Sequence, residues 1–67
     1  MPPVRYDVSV CGPDVDGFHV ATVVTWGVLV ATEARRDVDA AKRAALRIVA
    51  ERPDVTEIFV SVATKAT

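Results

Sequence analysis

The sequence predicts an α+β domain: a three-stranded antiparallel meander, one helix and a fourth strand (β-β-β-α-β), with the helix packed on one face of the sheet. Three observations carry this prediction. Residues 4–11 alternate apolar and polar side chains with the period of a half-buried strand. Residues 18–25, 28–32 and 56–63 are crowded with β-branched and aromatic side chains and bounded by turn-forming residues. Between them, residues 37–52 (DVDAAKRAALRIVAER) place apolar side chains at helical spacing.

Each element follows from its residues. In the first strand Val4, Tyr6, Val8 and Val10 point one way, and Arg5, Asp7, Ser9 and Cys11 the other. Residues 12–17 (GPDVDG) form a turn, because Pro13 presets φ and the aspartates can bond their own backbone. The second strand, residues 18–25, pairs with the first as a hairpin. Trp26-Gly27 breaks it from the third, residues 28–32; the alternative is one long strand bent at a glycine bulge.

Asp37 is the expected N-cap of the helix, and Asp39 in its first turn opposes the helix dipole favourably. Val38, Ala41, Ala45, Ile48 and Val49 make the buried stripe, with Ala44 and Leu46 on its margins. Asp39, Arg43, Arg47 and Glu51 fall on the opposite face at ion-pair spacing. Pro53 ends the helix by pushing Arg52 out of the helical region. In the last strand, Ile58, Val60 and Val62 face one side and Phe59, Ser61 and Ala63 the other. Residues 1–3 read as an extended leader and residues 64–67 as a frayed end. A crossover through the helix sets the last strand beside the first, for a sheet order of third, second, first, fourth. Placement beside the third strand is the alternative topology.

The length of 67 residues allows one small domain, residues 1–67, with a core that is marginal unless something reinforces it. Cys11 is the only cysteine, so neither an intrachain disulfide nor a thiolate zinc cage is available. One helix covers one face of a four-stranded sheet, and apolar residues remain on the other. A homodimer or larger assembly, through that face or an edge strand, is the expected remedy. Cys11, Trp26 and Phe59 are the expected interface residues. A net charge of −1 argues against a generic nucleic-acid or membrane binder. The apolar run at residues 20–31 is too short for a membrane span, and the N-terminus has no signal-peptide pattern, so the expected compartment is the cytoplasm. The absence of Asn and Gln beside abundant Ala, Val, Arg and Asp suggests a GC-rich bacterial or phage gene.

No catalytic motif stands out. Asp14-x-Asp16-Gly17 has the opening of a calcium loop but none of its later ligands, so a turn is the better reading. His19 is the only histidine, and a Cys11–His19 pair lacks the third group that would orient a base. No metal, cofactor or enzymatic activity is expected. Arg36, Lys42, Arg43 and Arg47 offer phosphate contacts on the outer helix face, with Asp39 and Glu51 interspersed to weaken the field.

Residues 6–50 resemble the N-terminal domain of HicB-type antitoxins. The matching features are the strand RYDVSV, the acidic turn and strand DVDGFHV, and the helix opening DVDAAKRAAL. The resemblance implies a non-catalytic, oligomeric module that binds and masks a partner protein. FHVATVV followed by AKRAAL is also similar to the later part of a double-stranded-RNA-binding domain. The lysine pair that would touch phosphates is replaced there by Asp39 and Ala40. The expected function is therefore a bacterial or phage regulator or inhibitor acting by protein contact. Nucleic-acid binding through Arg36, Lys42, Arg43 and Arg47 is the alternative.

Overall fold

A computed structural model describes residues 4–64. The elements are β1 (Arg5–Gly12), β2 (His19–Thr25), β3 (Val28–Arg35), α1 (Val38–Ala50) and β4 (Glu57–Thr64). They build one sheet in the order β3-β2-β1-β4. β1, β2 and β3 are antiparallel neighbours, and β4 runs parallel to β1. This is the expected meander, helix and returning strand. The expected leader lies outside the described residues, as do residues 65–67. Thr64, expected to fray, still pairs with Gly12.

The local chemistry explains the joints. Trp26 and Gly27 form the two-residue β2–β3 turn, with φ of +52° and +74°. Positive φ at both central residues matches the right-handed twist of the flanking strands. The chain is thus two strands rather than one bent strand. In the β1–β2 loop, the Asp14 carboxylate accepts from the backbone N–H of Asp16 and of Phe18, both at 2.9 Å. That aspartate stabilises a turn, as its sequence context suggests. At the start of β4, the Thr56 hydroxyl accepts from the Val4 N–H at 2.8 Å and donates to the Val4 carbonyl at 3.1 Å. This clamp sets the parallel β1–β4 register, which then runs unbroken from Arg5–Glu57 to Gly12–Thr64.

Two boundaries depart from expectation by more than one residue. β3 continues past Thr32 to Arg35, because β2 supplies backbone partners as far as Val20–Ala34 and His19–Arg35. The helix ends at Ala50, earlier than Arg52. Its last turn tightens through bonds from the Glu51 N–H to the Ile48 carbonyl (3.3 Å) and from the Arg52 N–H to the Val49 carbonyl (3.0 Å). At the other end the Asp37 carboxylate accepts from the Ala40 N–H at 3.0 Å, as an N-cap should. Asp37→Ala is expected to destabilise the chain by about 1 kcal/mol in urea unfolding, and Asp37→Ser by much less.

The core is thin. Tyr6, Val8 and Val10 of β1, Ala21 and Val23 of β2, and Ala41, Ala45 and Val49 of α1 are its buried members. Small side chains on both sides let the helix approach the sheet closely. Val38 and Leu46 pack partly buried at its margin. α1 lies against β1, β2 and β3, and no Cα of α1 comes within 8 Å of one in β4. Among the described elements, β4 packs against β1 alone. Its apolar side chains are consequently open on both faces: Ile58 47%, Val60 42% and Val62 47% exposed on the helix side, and Phe59 50% on the other. The surplus apolar surface foreseen for the uncovered face of the sheet extends onto the covered one.

Candidate functional site

The sheet face away from the helix is read across the strands from the pairing registers. One rank is Leu29, Val24, Asp7 and Phe59; the next is Thr32, Thr22, Ser9 and Ser61; the third is Ala34, Val20, Cys11 and Ala63. Every strand contributes a hydroxyl to the middle rank. A β-bulge at Val23/Val24 determines the β3 contribution. It turns Leu29 to this open face while Ala31, opposite Val23, faces the helix.

The end of this face nearest Trp26 carries its most varied chemistry. The Arg5 Nε lies 3.0 Å from the Asp7 Oδ1. The same guanidinium sits 3.8 Å from the centroid of the Phe59 ring, a cation–π stack. The Thr25 hydroxyl donates to the Arg5 carbonyl at 2.9 Å, which ties the strand backbone beneath them. Arg5, Asp7, Trp26 and Gly27 line a shallow depression of about 210 Å³. Trp26 is 71% exposed. Its left-handed backbone conformation holds the indole at the hairpin tip instead of turning it into the core.

Of the three interface residues expected from sequence, Trp26 and Phe59 thus flank the Arg5–Asp7 pair. Cys11 is exposed on the same face but beyond the hydroxyl rank, about 13 Å further along β1 at ordinary strand rise. Its thiol points to the Val20 carbonyl at 3.8 Å. His19 is the partner of Arg35 on the opposite, helix-bearing face, so Cys11 and His19 do not form a dyad. The His19 Nδ1 is buried beside Gly12 and has no hydrogen-bond partner among the described residues.

The basic residues are dispersed by the fold. Arg36 stacks over the Phe18 ring at 4.5 Å. Lys42 is 3.9 Å from Asp39, on the exposed helix surface. Arg43 and Arg47 face a third arginine, Arg35 at the end of β3, around the small side chains of Ala40 and Ala44. Arg35 in turn bonds Glu33 at 3.0 Å and the Ala34 carbonyl at 2.8 Å. The i,i+4 spacing of Asp39–Arg43 and Arg47–Glu51 does not close into ion pairs, because these long exposed side chains gain little by pairing in water. A β3 that ends at Thr32 leaves Arg35 in the connection to the helix, with no place in the site. Continuation of β3 to Arg35, in register with His19, is what brings it beside the helix.

No protein-family model, no curated protein and no solved structure matches the chain. Among the described residues, no three His, Cys, Asp or Glu side chains converge as a metal site would require. No helix among them is long and apolar enough to cross a membrane.

Proposed function

We propose that this chain is a non-catalytic protein-interaction module, a regulator or inhibitor of bacterial or phage origin, that docks a partner protein on the open face of its sheet. The observation that carries the reading is Trp26, exposed on a tight two-residue turn beside the stacked Arg5 and Phe59. Tryptophan, arginine and a second aromatic, clustered around one ion pair, is the composition of an interface hot spot. The partner should present an apolar slot for the indole, with an acceptor for its N–H. The resemblance to antitoxin domains over residues 6–50 points the same way.

Trp26 is the only tryptophan, so its fluorescence reports directly on this face. Partner binding should shift its emission to the blue. Trp26→Ala should weaken that binding by about 2 kcal/mol, roughly 30-fold, and leave the melting temperature nearly unchanged because the side chain is exposed. Binding that survives Trp26→Ala and Phe59→Ala would defeat the proposal.

A second reading rests on the Arg35–Arg43–Arg47 groove. Among the described residues the guanidiniums of Arg43 and Arg47 have no ion-pair partner, and the Ala40 and Ala44 floor lets a phosphate backbone approach. Nucleic-acid binding there should fall steeply with salt and disappear in Arg43→Glu/Arg47→Glu, whereas docking on Trp26 should respond weakly to both.

A further inference from the structure

We infer that two copies of this chain pair their β4 strands antiparallel about a two-fold axis through Val60, joining the two sheets into one of eight strands. This goes beyond the docking face described above, because it uses a strand edge and the opposite side of the sheet. Four observations carry it.

The two edges of the sheet are built differently. β3 is guarded: it bears Glu33 and Arg35, and a β-bulge interrupts its pairing with β2. Charges and bulges are the ordinary means of keeping an edge from pairing with another chain. β4 has no bulge, and its one charge, Glu57, stands at its first residue. From Ile58 to Thr64 it carries no charge and no proline, and its register against β1 is uninterrupted. One edge is closed to partners and the other is left open.

The helix side of β4 is also unfinished. Ile58, Val60 and Val62 stand in register with Tyr6, Val8 and Val10, which are buried under α1, yet the helix does not reach them. An apolar row continues from the core into solvent.

The strand is self-complementary. Antiparallel pairing about Val60 sets Val60 opposite its own copy, Ile58 opposite Val62 of the partner subunit, and Phe59 opposite Ser61 of the partner subunit. Glu57, the only charge in the strand, falls opposite Ala63 of the partner subunit, so no like charges meet. A two-fold axis perpendicular to the sheet puts both helices on the same side. Six apolar side chains, three from each copy, then line the floor between them.

Finally, the core holds no buried leucine, isoleucine, phenylalanine or tryptophan. A chain of this size without disulfides needs additional burial, and an isologous contact with its own copy supplies it and closes after two subunits.

Sedimentation velocity of the pure chain over a concentration series tests the inference. The wild type should run as a dimer. Val60→Lys, which brings two like charges together on the axis, should weaken dimerisation at least tenfold, while Trp26→Ala should not. Circular dichroism identifies a Val60→Lys chain that has merely unfolded. A second variant covers that case: Val60→Cys in a Cys11→Ser background should form a covalent dimer with a short bis-maleimide, whereas the Cys11→Ser background alone should not. A wild-type chain that stays monomeric at every concentration overturns the inference. So does a folded Val60→Lys chain that dimerises as tightly as wild type, or a wild-type dimer whose Val60→Cys counterpart fails to cross-link.

Discussion

Tyr6→Ala should unfold a substantial fraction of this protein at room temperature. Tyr6 is the largest side chain of the buried core, 4% exposed, between Thr25 of β2 and Ile58 of β4. Truncating a buried aromatic to alanine costs about 3–5 kcal/mol in transfer and cavity terms. A chain of this length has a total stability of roughly 3–10 kcal/mol. The substitution therefore removes a large part of what exists, and the other fully buried side chains of the core are valine and alanine, too small to fill the space. Thermal unfolding should show a fall in Tm of about 15 °C or more, at 4–8 °C per kcal/mol for a domain of this size. Tyr6→Phe keeps the ring and should stay within about 1 kcal/mol of wild type. All three proteins must be compared at one concentration, because dimerisation through β4 would make Tm depend on it. A loss below 1 kcal/mol for Tyr6→Ala would mean that the β1 side chains are not the core.

Gly12→Ala should be the most damaging of the glycine substitutions. Gly12 ends β1 at φ +133°, a conformation that side-chain-bearing residues avoid. A Cβ there would also lie 2.9 Å from the Phe18 carbonyl oxygen and 3.0 Å from the His19 Cα. Both are backbone atoms of the entry to β2, so relief requires moving the strand. The expected loss is about 3 kcal/mol, at the upper end of the range for a strained backbone position. Gly27 is the contrast: its φ is +74°, but a Cβ would meet nothing within 4 Å. Gly27→Asn tolerates that φ and should cost well under 1 kcal/mol. Urea midpoints for the two variants measure the difference; similar losses at both sites would contradict the close approach of β1 to residues 18 and 19.

Much of the fold was legible because its signals are local. The alternation in β1, the Trp26-Gly27 turn and the Asp37 cap each depend on a few adjacent residues, and the sheet order follows from joining those elements by short connections. The site was less legible. Trp26 and Phe59 could be singled out by type, but their association through Arg5 is a cross-strand contact. In the sequence Arg5 is one of the polar residues of an alternating strand and carries no other signal. Cys11 shared their face by parity alone and lies at its far end. Arg35 needed the true length of β3.

Taken alone, then, the residues determined the number, kind and order of the elements, the turn chemistry and most of the helix stripe, Val38, Ala41, Ala45 and Val49, though Ile48 lies outside the core it was expected to join. Backbone conformation and side-chain periodicity act over a few residues and are written in the local sequence. Only the tertiary structure decided where the helix lies across the sheet. α1 settles over β1, β2 and β3, where Ala41 and Ala45 meet Ala21 and the valines in a close-packed layer, and it leaves β4 with one neighbour. Periodicity says which side of a helix is buried but nothing about which strands it covers, because that choice is made by shape and volume among residues distant in the chain.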